Sequence, residues 1–191
     1  MKRAILLLAA ALAAGACRKA AAPVAEDLAP ARDVVAGVPL IDYDAATGEF
    51  SCRAPGQWRA LEDKDMGPRV MFFGPGDAKY PRSVQISVLR YPNGGRVKTP
   101  QDFWDALKIA GRGPSPLEPR TLNGRTVYAV HYDVDQRPLH GYKVLYVKRE
   151  DVVLIPGKTG FFAVTHAAPT ETYLRTLPVF DAVVASFQPK S

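Results

Sequence analysis

Two cysteines and three histidines among 191 residues leave little material for thiol or imidazole chemistry. No disulfide-dense miniprotein can be built from them. The chain also lacks G-x-S-x-G, H-E-x-x-H and C-x-x-C, so hydrolase, zinc-protease and dithiol-redox readings lose their usual support. Charge of one sign is not concentrated anywhere: 25 Lys and Arg stand against 19 Asp and Glu, scattered and intermixed. That is far from the basic stripe that phosphate neutralisation requires, and nucleic acid is not an expected partner. Apolar residues make up 47% of the chain, which suits a globular domain and not a wholly disordered one. Long apolar runs are absent apart from Ala4 to Ala14, which is too short to span a bilayer stably.

That single run has a recognisable setting. Met1-Lys2-Arg3 gives a positive start, and the Leu- and Ala-rich stretch ends in Gly15-Ala16 directly before Cys17. The pattern resembles the lipobox of bacterial lipoproteins, with Ala14 in place of the usual Leu. The resemblance implies cleavage after residue 16, a diacylglyceryl group on the Cys17 thiol and acylation (palmitate or a similar chain) of its new amino terminus. Several acyl chains at about 0.8 kcal/mol per buried CH2 hold a protein on a bilayer firmly, where one chain binds marginally. Arg18 stands where sorted lipoproteins retained at the inner membrane carry Asp, so the expected address is the periplasmic face of the outer membrane. Two other readings of the segment stay open. It can form a buried helix, although it has no amphipathic stripe, or undergo ordinary secretory cleavage that leaves Cys17 free to pair with Cys52. Lipidation predicts no disulfide.

From Arg18 to Leu40 the sequence is rich in Ala and carries Pro23, Pro30 and Pro39, a composition that buries too little surface to offset chain entropy. The expected organisation is therefore a signal peptide over 1–16, a tether over 17–41 and a folded domain over 42–191. Residues 18–40, extended at about 3.3 Å each, reach about 75 Å.

Within the domain, alternation and turn residues predict strands at Phe50 to Ala54, from Trp58, at Arg69 to Phe73 and at Ser83 to Tyr91. Thr99-Pro100-Gln101-Asp102 predicts a capped helix start, with Phe103, Leu107 and Ala110 facing inward and Gly111 ending it. After a Pro-rich link, Arg125 to Tyr132, Tyr142 to Lys148, Val152 to Ile155 and Phe161 to His166 predict an antiparallel meander. A final helix from about Thr170 aligns Phe180, Val183, Val184 and Phe187, and Pro178 is expected to kink or restart it.

Phe50, Pro55 and Trp58 at the domain's opening, the Leu122-Asn123-Gly124-Arg125 turn into a strand with Tyr128 and Tyr132, and the closing stretch from Ala168-Pro169-Thr170 through Pro178 to Phe187 resemble the PsbP/Mog superfamily. The likeness covers about Tyr43 to Gln188. It implies an α+β fold, an antiparallel sheet with helices on both faces (an α/β/α sandwich). It also implies a noncatalytic accessory or binding module. No metal, cofactor or partner-binding residue of that family can be matched to a position here.

The sharpest chemical constellation is His131, Asp133 and Asp135, which alternate along one strand and so share a face, as an N/O metal site needs. Val127 and Ala129 precede them on that face, which makes a core strand fraying into a polar end the competing reading. Cys52 with His131, His140 or His166 is a conceivable nucleophile pair, set against a small buried core thiol. Gly157-Lys158-Thr159 copies the end of a phosphate-binding loop, but Val152 occupies the place of its first Gly, and a hairpin turn fits better. Trp58, Trp104 and the pairs Phe72-Phe73 and Phe161-Phe162 suit a recognition platform or, with one ring of each pair per sheet face, two cores.

The sequence thus predicts a lipid-anchored, noncatalytic envelope protein with no cofactor, binding a protein or envelope component. The rival is a metal-dependent binder or enzyme using His131, Asp133 and Asp135, and a third reading is a plain structural spacer.

Overall fold

The computed structural model describes residues 33–63, 69–75, 83–138 and 143–190. The signal segment, Cys17 and His140 lie outside the described residues. Strands β1 (Asp33–Val35), β2 (Val38–Asp44), β3 (Phe50–Pro55) and β11 (Gln188–Pro189) form a small sheet in the order β1-β2-β3-β11. A larger, seven-stranded sheet runs β4 (Arg59–Asp63), β5 (Arg69–Phe73), β6 (Gln85–Tyr91), β10 (Gly160–Pro169), β9 (Tyr146–Gly157), β8 (Arg125–Gln136), β7 (Glu118–Leu122). All pairings are antiparallel. Two helices complete the described fold, α1 (Pro100–Ile109) and α2 (Thr170–Ser186).

The large sheet separates two cores. Neighbouring residues on its central strands point to opposite sides, as the pleat requires. Phe162 and Val164 of β10, with Val153 and Ile155 of β9, meet Val179, Phe180 and Val183 of α2 and Phe50, Cys52 and Ala54 of the small sheet. Phe161, Ala163, Val152 and Leu154 point the other way and meet Phe103 of α1 with Val130 and Tyr132. The two adjacent phenylalanines of β10 therefore each serve one core, as the alternation predicted.

The expected sandwich of helices on both faces of one sheet is corrected by this architecture. Strands hold 52% of the described residues and helices 19%, and there are two sheets. Neither face carries a helical layer. One is shared between α2 and the small sheet, and the other receives the ten residues of α1 over part of its area. The reason lies in β3, where Phe50, Cys52 and Ala54 alternate inward and need flanking strands to satisfy their backbone groups. Strands β2 and β11 supply that pairing, and β2, itself paired with β1 from Asp33, begins inside the stretch read as tether.

Local chemistry explains the helices. Thr99 accepts from the Asp102 backbone N–H at 3.1 Å while the Asp102 carboxylate accepts from the Thr99 N–H at 3.0 Å, a reciprocal capping box. The backbone N–H groups of Lys98 and Thr99, both donating to it, hold the Asp102 carboxyl below its ordinary range. Gly111 ends the helix at φ 69°, a left-handed position suited to Gly. Phe103 is buried as expected, whereas Ala110 is exposed at the C-cap. Helix α2 runs from Thr170 to Ser186 as one assigned element despite Pro178. Pro178 and Leu174, four residues earlier, both lie on the exposed side, so the carbonyl left without a donor faces water.

Candidate functional site

A cleft of about 520 Å³ opens between α2 and the β7-β8-β9 end of the large sheet. Its floor is apolar, built from Ala129 and Val153 on the strands and Leu177, Phe180 and Val184 on α2. The α2 residues recur at helical spacing, the stripe that packs the helix on the sheet, and the cleft opens where that stripe parts from the sheet edge.

Charged groups ring this floor. Cross-strand pairing sets Asp133 opposite Arg149 and His131 opposite Asp151, and Asp151 is in turn opposite His166 on β10. Arg149 donates to both oxygens of Asp133, at 2.9 Å from Nε and 3.2 Å from Nη2. This fork depresses the Asp133 carboxyl and strengthens the Arg149 charge. The Arg149 guanidinium also lies 5.6 Å from the Tyr173 ring centre. Tyr173 donates its hydroxyl to the Asp151 carboxylate, and burial followed by that hydrogen bond raises the phenol's pKa. Asp181 on α2 is raised as well, first by burial and then by the negative charge of Asp151, against a partial offset from Arg120.

His131, Asp133 and Asp135 do share one exposed strand face, as their spacing predicted. They do not gather as metal ligands. Both Asp133 oxygens are taken by Arg149, Asp135 pairs with Arg137 at 3.0 Å, and no group of three His, Cys, Asp or Glu suited to a metal occurs among the described residues.

The other candidates resolve individually. Cys52 is buried in the core beneath the small sheet, and burial, with the charge of Asp44, pushes its thiol up to about 12. That is the wrong direction for a nucleophilic thiolate. Gly157-Lys158-Thr159 forms the β9-β10 hairpin, with Gly157 opposite Gly160 and the Thr159 hydroxyl accepting from Arg90 at 2.6 Å. Trp58 is buried over Gly74, and Trp104 donates its indole N–H to the Ser115 carbonyl at 2.8 Å. These indoles serve packing and loop anchoring.

Sequence reasoning missed Arg120, because β7 was taken for part of a Pro-rich link. It also missed the wall formed by Tyr173 and Asp181. Their signal was present: Tyr173, Leu177, Phe180, Asp181 and Val184 fall on one helical stripe.

No family model and no curated protein sequence matches this chain. Among solved structures, the fold resembles CyanoP, the cyanobacterial PsbP of Synechocystis, at 20% identity and a TM-score of 0.51, over 78% of this chain and 92% of that one. A Bacteroides thetaiotaomicron protein matches at 10% identity and TM-score 0.50, over 78% of this chain and 48% of its own. The yeast Ran-binding protein Mog1p gives 9% identity and TM-score 0.49, over 80% and 96%. The likeness to CyanoP is one of overall fold.

Proposed function

We propose that this protein is a noncatalytic binding module of the cell envelope, whose α2 cleft receives a protein partner or envelope component. The observation that carries the reading is the state of the cleft's charges. Arg149 at the cleft wall is held by the neighbouring Asp133, and Asp151 accepts from Tyr173, around an apolar floor. Such paired groups orient and select a partner through shape and hydrogen bonds. The likeness to CyanoP, a PsbP, is compatible with an accessory role.

The address is part of the same proposal. Residues 1–16 direct export, Cys17 carries the lipid, and the following segment links the anchor to the first strand at Asp33, at the periplasmic face of the outer membrane. The support is the charged start, the short apolar run and the small residues before Cys17. Intact mass of membrane-extracted protein tests it. A cleaved chain bearing acyl mass, lost in Cys17→Ser, is expected; a cleaved chain without acyl mass overturns the anchor.

For the cleft, a photo-crosslinking residue at Leu177 in intact cells, analysed by mass spectrometry, is expected to yield one consistent adduct. The same probe at Ile109, exposed on α1, is the control. Identical background proteins from both positions would refute the cleft as the binding surface.

A further inference from the structure

The charges around the α2 cleft do not cancel. Two arginines, Arg120 and Arg149, stand among four carboxylates, Glu118, Asp133, Asp151 and Asp181. Arg120 already pairs with Glu118 at 3.2 Å, and Arg149 is forked onto both oxygens of Asp133. Asp151 also acts on Arg149, but one guanidinium shared by two carboxylates leaves a negative charge over.

The remaining carboxylates are Asp151 on β9 and Asp181 on α2. Asp151 accepts from the Tyr173 hydroxyl, a neutral donor that orients the carboxylate without cancelling its charge. Asp181 makes no ion pair among the described residues, and Arg120 offsets its environment only in part. The two line the same cleft, and the charge of Asp151 works against ionisation of Asp181. A cation placed where both act relieves that repulsion and gains from each.

The floor asks for something different. Ala129, Val153, Leu177, Phe180 and Val184 offer hydrocarbon, which favours an apolar occupant. A group that satisfies floor and wall together is a hydrocarbon stem ending in a positive charge, the plan of a lysine or arginine side chain. At about 520 Å³ the cleft has room for such a side chain with an apolar neighbour, and it opens at the β7 edge, where a segment of another protein can enter.

We propose that the α2 cleft takes a lysine or arginine side chain of a partner protein, flanked by an apolar residue, with the stem on Leu177 and Phe180 and the cation at Asp151 and Asp181. This rests on the cleft being the binding surface and adds the chemistry of its occupant.

Amide chemical shifts of the full chain test it, at about pH 7.5, above the ordinary histidine range, so that His131 adds no charge. The probes are acetyl-Leu-Lys-Leu-amide and its uncharged counterpart with norleucine in place of lysine. Saturable shifts at Ala129, Leu177 and Asp181 are expected with the lysine peptide. The norleucine peptide is expected to bind about fivefold more weakly, the scale of one partly exposed ion pair, and added salt to narrow the gap. Asp181→Asn is expected to reduce the preference and the double variant Asp151→Asn with Asp181→Asn to abolish it, the new amide at 151 still accepting from Tyr173. Equal binding of the two peptides to the unaltered chain overturns the cation assignment and leaves the cleft as an apolar docking surface. An undiminished preference in the double variant overturns it too, as does the absence of saturable shifts up to about 10 mM lysine peptide. The Leu177 crosslink decides separately whether the cleft binds a partner at all, and a captured segment without lysine or arginine refutes only the occupant.

Discussion

Beneath α2, the large sheet meets a seventeen-residue helix and a second sheet, and Phe50, Phe162, Phe180 and Phe187 interlock between them. Beneath α1 it meets ten residues of helix with a single fully buried side chain, Phe103, and part of the strand surface stays open and polar. The difference teaches how one sheet divides its labour: the heavily covered face holds the fold, and openings survive where the cover ends. The first way to break that comparison is by truncation. Phe180→Ala is expected to cost about 3–5 kcal/mol and Phe103→Ala clearly less, because its smaller cluster is bounded by solvent and can relax. Equilibrium denaturation measures both. Equal losses would mean that the two faces support the fold equally.

A second contrast lies within the α2 face, in the two histidines flanking Asp151 in one cross-strand row. His131 is exposed at the cleft; His166 is fully buried, its Nε2 2.9 Å from the Thr176 hydroxyl, its ring stacked near Phe180 and Tyr173, and its Nδ1 without a partner. Burial lowers the His166 pKa to about 4. The unfolded chain protonates this ring near pH 6.5 while the folded protein keeps it neutral, so between those values the unfolded state binds more protons. Stability therefore falls as pH drops from about 6.5 to about 4, by roughly 3 kcal/mol, and this contribution levels off below. Thermal unfolding across that range checks it. His166→Phe is expected to flatten the slope.

The same asymmetry governs how much could be read in advance. Elements with one buried face announced themselves: β6 through Val84, Ile86 and Val88, α2 through its apolar stripe, α1 through its cap. The edge strand β7 did not, because an edge needs no alternating apolar face and tolerates Pro119, so it passed for a linker. Strand β9 was split in two by Arg149-Glu150-Asp151, which resembles a solvated break. In the fold each of these charges has a partner, Asp133, Lys148 with Tyr132, and Tyr173 respectively, and the strand runs through them. Half the candidate site was legible for a related reason. His131, Asp133 and Asp135 were placed on one face by period two, but that Arg149 would occupy Asp133 depends on a register between strands far apart in sequence.

The lightly covered face also depends more on local helix chemistry. Thr99→Ala removes the side-chain half of the capping box and is expected to cost about 1 kcal/mol, read from denaturation midpoints at constant m-value. Substitution at Pro169, the corresponding position of α2, breaks no such bond, since that helix start has no side-chain cap and is held by burial.

The smallest effect is expected at the cleft's most visible ion pair. Asp133 and Arg149 meet through two hydrogen bonds, yet their side chains are 49% and 39% exposed, so water and salt screen most of the attraction. A double-mutant cycle of Asp133→Asn and Arg149→Gln is expected to return a coupling below about 1 kcal/mol, shrinking further as salt is raised. The single variants should then differ from each other, because Arg149 also touches the Tyr173 ring and Asp133 does not. If Arg149→Gln costs more than Asp133→Asn while the coupling stays small, the arginine's contribution lies in its packing against α2. The pair then serves to hold a guanidinium in position at the cleft wall, and stabilises the sheet only incidentally.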